Sequence, residues 1–136
     1  MNNIMSKILY ISPCLDFSGY ATAARGYINA LHMAGANLAC RAVKYDSSDS
    51  GKEYIPTDLE KKLLSSPIDD VDIIIQHTTA NEMRIPHKIR SKTNIAIIAL
   101  ETTRAPDYWI QRLNEFDGVI TFCDTSVNAF KSCGLN

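Results

Sequence analysis

The sequence predicts an α/β domain of three layers built on a parallel sheet, and two observations carry that prediction. Short β-branched apolar runs at residues 7–12, 38–43, 72–77, 94–100 and 118–123 are separated mostly by stretches with helical spacing. The runs at 72–77 and 94–100 are continuously apolar rather than alternating, which suits strands covered on both faces. At 136 residues the chain reads as one domain, able to bury a core without disulfide or metal staples.

Each element has a local reason. Residues 1–6 read as a loose terminus, with Met5 as an alternative start. Lys7 to Ser12 is β-branched and aromatic, and Pro13 ends it. Ser18 is a plausible N-cap, and Gly19 lets the backbone approach whatever lies above it. From there Tyr20, Ala24, Tyr27, Ile28, Leu31 and Ala34 share one helical face, and Gly35 stands where a C-terminal cap wants a positive φ. A second strand runs from Leu38 to Val43, interrupted by Arg41. Asp46 to Gly51 is a polar turn, and Glu53 to Pro56 is a short edge strand at most, because Pro56 opposes a longer one. Thr57-Asp-Leu-Glu60 is a capping box, followed by Leu59, Leu63 and Leu64 as the buried stripe of a helix that Pro67 ends. Strands follow at Asp72–His77, Asn94–Leu100 and Gly118–Cys123. Between the last two, Pro106 opens a helix to Phe116 with Trp109, Leu113 and Phe116 on one face. A last helix spans Asp124 to Cys133, with Asp124 or Thr125 as cap and Gly134 as stop. Strand–helix alternation of this kind means right-handed crossovers and a parallel sheet.

Composition excludes several classes. The 46% hydrophobic and 21% charged content is that of an ordinary globular protein. Lys plus Arg (14) nearly balance Asp plus Glu (15), so no nucleic-acid partner is expected. The four cysteines, Cys14, Cys40, Cys123 and Cys133, form no C-x-x-C pair and no zinc spacing. With no signal peptide ahead of them, reduced thiols and a cytoplasmic location are expected. The longest apolar run, at 95–100, is far too short to span a bilayer. Arg84, His87, Lys88, Arg90 and Lys92 concentrate positive charge. Such a run reads first as a solvated loop and second as a greeting for an anionic acceptor or lipid headgroups.

Chemistry gathers at the strand ends. In an open parallel sheet, ligands bind beyond the carboxyl ends of the strands, where the strand order reverses. Those ends carry Pro13 to Gly19, His77-Thr78-Thr79, Glu101-Thr102-Thr103-Arg104 and Cys123-Asp124. If the strand at 72–77 lies beside the first, Ser18-Gly19 comes next to His77-Thr78. A turn of small residues into a helix N-terminus can hold a phosphate or carboxylate, and it can equally be only a tight turn. The dinucleotide fingerprint G-x-G-x-x-G is absent, and Lys44-Tyr45 stand where a ribose-binding acid would end the second strand. His77 reads as a proton carrier, a donor to a sugar hydroxyl, or a plain strand-end histidine. Glu101 with Arg104 reads as a local ion pair or as a sugar- or phosphate-binding couple. Asp16 is a weaker candidate for the same crevice. Cys14 and Cys123 have no marked base and read as structural.

Ile8-Leu-Tyr-Ile-Ser-Pro13, Ser18-Gly19-Tyr20 and the helix running through Arg25 and Leu31 to Gly35 resemble the opening of GT-B glycosyltransferases of the glycosyltransferase family 4 type. Glu101 to Pro106, Trp109, Asp117 to Cys123, Phe130 and Gly134 are similar to a later pattern of that family. The resemblance implies two Rossmann-like domains facing across a cleft, of which this chain is the N-terminal, acceptor-side one. Its Ser18-Gly19-Tyr20 turn would lie near the phosphates of a nucleotide-sugar co-substrate. His77, Thr78 and the Glu101, Thr102, Thr103, Arg104 loop would face the transferred sugar or the acceptor. No cofactor is implied, and the paired acids that grip the donor belong to a C-terminal domain absent here, so the chain alone is expected to be inactive. Cys123 departs from the family's usual serine. A different class of reading is a stand-alone α/β ligand-binding or assembly domain, which an exposed apolar surface from Phe130 to Leu135 would favour.

Overall fold

The computed structural model describes residues 5–45, 54–84 and 93–136. The readings placed on residues 1–4, on Asp46 to Gly51, on Glu53 and on His87, Lys88, Arg90 and Lys92 lie outside the described residues. The elements are β1 (Lys7–Ser12), α1 (Gly19–Met33), β2 (Asn37–Ala42), α2 (Asp58–Ser65), β3 (Ile73–His77), β4 (Thr93–Ile97), α3 (Asp107–Leu113), β5 (Gly118–Ile120) and α4 (Asp124–Ser132). The strands form one five-stranded sheet in the order β2-β1-β3-β4-β5, and every pairing is parallel. The domain is Rossmann-like α/β, with helices on both faces.

Register decides which residues share a face. Tyr10, Ile75, Ile95 and Gly118 stand in one row, and His77, Ile97 and Ile120 in the next. On that side Tyr10 packs with Ala24 and Ile28 of α1 and Leu63 of α2. On the other side Ala96 packs with Ile110 and Leu113 of α3 and Phe130 of α4. Leu9, Ala39 and Ile74 fill the rest of that second face under Val71 and Ile68.

Two helix ends follow the local code closely. Gly35 has φ +83°, the Ala36 N–H reaches Leu31 O at 3.0 Å and the Gly35 N–H reaches His32 O at 2.9 Å, a Schellman motif closing α1. Gly134, at φ +98°, repeats it on α4, with the Leu135 N–H on Phe130 O at 3.1 Å. The capping box of α2 is complete: Thr57 Oγ1 accepts the Glu60 N–H at 3.2 Å, and Glu60 Oε2 accepts the Thr57 N–H at 2.7 Å.

Several expectations need correction. The fourth strand ends at Ile97, not Leu100, because side chains from other elements take its ladder groups. Tyr20 OH accepts the Ala99 N–H at 3.0 Å, and Ser126 Oγ donates to Leu100 O at 3.0 Å. The fifth strand ends at Ile120, since Cys123 already serves as N-cap of α4 in place of Asp124 or Thr125. Pro106 is the N-cap of α3 rather than its first residue, and α3 stops at Leu113. Residues 54–56 form no strand. Tyr27 of α1 and Ala34, its C-cap, are exposed, because the helix lies over β1 and β2 with Ala21, Ala24 and Ile28 turned inward. That placement leaves Ile73, Ile75 and Ile95 only half-buried, so β3 and β4 are not covered equally on both faces. Phe130 is fully inside the core, and exposed apolar residues are scattered elsewhere, at Met33 and Ile55 as well as at Leu15, Phe17, Ile120 and Phe122.

Candidate functional site at the carboxyl end of the sheet

The site begins with topology. From β1 the chain goes outward to β2 on one side, while β3, β4 and β5 follow in turn on the other. The order therefore reverses between β1 and β3, and in an open parallel sheet the ligand crevice is expected beyond the carboxyl ends of those two strands. Ser12 and His77 are the next residues beyond the paired Ile11 and Gln76, so the two strands deliver the Pro13–Ser18 loop and His77-Thr78 to the same place.

The loop is held by its own chemistry. The Asp16 N–H reaches Pro13 O at 3.1 Å, and Asp16 Oδ1 accepts the Ser18 N–H at 2.7 Å. Arg25, one and a half turns into α1, folds back and donates to Cys14 O at 2.9 Å and Asp16 O at 2.8 Å. Its guanidinium lies 4.1 Å from the centre of the Tyr54 ring, a cation–π contact, and Tyr54 in turn meets Phe17 edge-on. Ser18 then caps α1 by accepting the Ala21 N–H at 3.1 Å. Gly19 and Tyr20 occupy the first turn, whose N–H groups have no acceptor within the helix. A Cβ placed on Gly19 would meet nothing within 4 Å, and its φ is not in the left-handed region. Neither backbone strain nor packing demands glycine there; the space above the turn is open.

The floor of the crevice is aromatic. His77 is 0% exposed. Its Nδ1 lies 2.7 Å from Tyr10 OH, and the rings of Tyr20 and Tyr27 meet it edge-on at 5.6 and 5.5 Å, with Phe122 tilted at 6.1 Å. Burial pushes the imidazole down to about 4 from 6.5 and raises the Tyr10 and Tyr20 phenols above their ordinary range. All of these groups are uncharged at neutral pH. Beside them Tyr45 OH and Thr78 Oγ1 share a hydrogen bond of 2.6 Å, tying the end of β2 to the end of β3.

Among the described residues, His77 Nε2, Asp16 Oδ2 and Thr121 Oγ1 are buried without a hydrogen-bond partner. So is Ser12 Oγ, which has the Cys14 thiol beside it, outside hydrogen-bonding geometry. These four sit at or just beyond the carboxyl ends of β1, β3 and β5, whereas the fifth such atom, Asn94 Oδ1, lies at the other end of β4. Buried polar atoms are normally paired, so a concentration of unpaired ones at one end of the sheet makes that end the candidate site.

The remaining sequence candidates divide. β1 and β3 are neighbours, as the adjacency of Ser18-Gly19 with His77-Thr78 requires, and of these residues the Tyr20 and His77 rings meet directly. Glu101, Thr102, Thr103 and Arg104 are all exposed in the loop after β4. There Thr102 Oγ1 donates to Arg104 O at 2.8 Å, and the Arg104 guanidinium faces Asp107 at 4.0 Å rather than Glu101. Cys14 is buried, which raises its thiol above the ordinary value, and Cys40 is pushed up to about 12. Cys123 is exposed, and its sulfur meets Ser126 Oγ at 3.3 Å, whose own proton goes to Leu100 O. Sequence reasoning missed the roles of Tyr10, Arg25 and Phe122. Nothing local marks them, since each acts through contacts brought about by the sheet.

A separate cavity of about 360 Å³ lies between the segment after β3 and α3, lined by Asn81, Arg84, Tyr108 and Arg112 among others. Its guanidiniums are engaged, Arg84 with Asn81 O and Met83 O, and Arg112 with Glu115 at 3.6 Å. Among the described residues no group of three or more His, Cys, Asp or Glu could hold a metal, and no helix is long and apolar enough to cross a membrane. No family model, curated protein or solved structure matches the chain.

Proposed function

We propose that this domain is the acceptor-side half of a GT-B glycosyltransferase of the family 4 type, acting with a nucleotide-sugar and a second, donor-gripping domain. The observation that carries the reading is the crevice at the β1–β3 reversal. It combines an open Gly19 turn at a helix N-terminus with buried, unpaired Asp16 Oδ2 and His77 Nε2. The first-turn N–H groups and the positive end of α1 would meet the donor's diphosphate. Asp16 Oδ2 accepts and the neutral floor around His77 donates, which suits hydroxyl-rich, uncharged sugar. The reaction is displacement at the anomeric carbon, with the departing diphosphate stabilised by positive dipoles.

The test is NMR titration of the isotope-labelled chain with a nucleoside diphosphate, alongside Gly19→Val. Expected are amide shifts centred on Gly19, Tyr20 and Thr78 that disappear in the variant, while its fold is unchanged because the new side chain meets open space. Shifts located elsewhere, or undiminished by the substitution, would sink the phosphate-turn assignment.

The second reading, a stand-alone binding or assembly domain without catalysis, is favoured by one observation. Ile120 and Phe122, beside the same crevice, are 50% and 49% exposed. Sugar or nucleotide binding that proceeds with no turnover in any donor screen would select it.

A further inference from the structure

We infer that Tyr10 is a positioning residue that fixes His77 as its Nε2–H tautomer, and that Phe122 is the movable cover over that N–H. The buried end of β3 is then a hydrogen-bond donor awaiting an acceptor oxygen, not a base awaiting a proton.

The tautomer follows from counting protons. Tyr10 and His77 are both 0% exposed, and the hydrogen bond between Tyr10 OH and Nδ1 is 2.7 Å long. The phenol has one proton. If Nδ1 carried a hydrogen and donated it, the Tyr10 proton would lack an acceptor and Nε2 would keep an unused lone pair, two orphans in an apolar cage. If Tyr10 donates to Nδ1, only the Nε2 hydrogen is left unmatched, and Nε2 is the atom found buried without a partner. Leaving polar groups unmet away from water is unfavourable, so the arrangement with one orphan prevails.

The cover follows from how the four surrounding rings are held. Tyr10 lies inside the core, and Tyr20 is anchored by the Ala99 N–H. Tyr27, 42% exposed, is set by its place in the middle of α1, so its base cannot move without the helix. Phe122 is different: it stands in the short connection between β5 and α4, is 49% exposed and has no polar anchor for its ring. Its ring is tilted against the imidazole at 6.1 Å, and on this inference its rotation would uncover Nε2 to an acceptor oxygen of a ligand. The inference rests on the crevice being a ligand site. It requires neither a nucleotide-sugar nor transfer, so either reading can fail while the other stands.

The experiment is long-range ¹H–¹⁵N correlation NMR on the labelled 136-residue chain near neutral pH. The wild type is expected to show His77 as the Nε2–H form with a slowly exchanging Nε2 proton; an Nδ1–H pattern would overturn the tautomer. Tyr10→Phe keeps the ring and removes the donor, and a second tautomer should appear; an unchanged pattern in the folded variant removes Tyr10 from the role. Phe122→Ala should lose the Nε2 proton signal to solvent exchange while the amide spectrum of the sheet persists. Retention of that signal would show that Phe122 is not the cover. Should Tyr10→Phe fail to fold, the wild-type tautomer and the Phe122 variant still decide.

Discussion

Acid should destabilise this domain through His77 by a predictable amount. The folded imidazole is pushed down to about 4 from 6.5, and burial is the cause. The unfolded chain therefore takes up this proton below pH 6.5, whereas the folded chain does so only below about pH 4. Stability from the neutral imidazole is complete above pH 6.5, falls as pH drops through the interval and is gone below about pH 4. At about 1.4 kcal/mol per pH unit the interval corresponds to about 3 kcal/mol. Neighbouring groups do not offset it. The rings against His77 are Tyr10, Tyr20, Tyr27 and Phe122, and the Tyr10 and Tyr20 phenols are raised, so they stay neutral throughout. The assay is urea unfolding of the wild type and His77→Gln across the same pH series. Surface carboxylates titrate in both, so the difference between the two isolates the histidine. That difference should shrink by about 3 kcal/mol from neutral pH to pH 4. A difference that stays constant across the series would refute the buried neutral imidazole and, with it, the donor assigned to Nε2.

Two further substitutions test local energetics. Thr57→Ala removes one half of the α2 capping box and leaves the partly reciprocal Glu60, itself 8% exposed, with its remaining contacts to Tyr54 and the backbone. A loss of about 1 kcal/mol in urea unfolding is expected. Arg104→Ala should change stability by less than about 0.5 kcal/mol, because its 4.0 Å pair with Asp107 is exposed on both sides. A larger loss would mean that the loop after β4 is held more firmly than its contacts indicate.

What was legible in the sequence was what neighbours along the chain decide. Gly35 and Gly134 close their helices through bonds spanning a handful of residues, and the Thr57–Glu60 box is complete within one turn. The order of strands and helices followed from apolar period, and the parallel sheet followed from the alternation. The ends of β4 and β5 were not legible. Residues 98–100 are as strand-like as those before them, yet Tyr20, 79 residues away, and Ser126, 26 residues away, take the backbone groups that a longer ladder would have used. The same holds for Arg25, whose task of gathering two loop carbonyls depends on how α1 leaves β1.

Of the candidate site, the rim and the His77-Thr78 part of the floor were legible, while Tyr10 and Phe122 were not, and rim and floor carry different chemistry. Ser18, Gly19 and the Glu101–Arg104 loop reach solvent, where charge is cheap and a short loop can vary without disturbing the core. His77 and Thr78 are fully buried, where Thr78 Oγ1 is met by Tyr45 and the unpaired His77 Nε2 is costly unless a ligand meets it. A charged ligand lying only on the rim would leave the floor's orphans unmet. A neutral ligand confined to the floor would make no use of the open turn at Gly19. On the proposed reading, one molecule with an anionic end over the Gly19 turn and an uncharged, hydroxyl-bearing end over His77 would use both, a division that a nucleotide-sugar has, and the proposal rests on that complementarity rather than on any single residue.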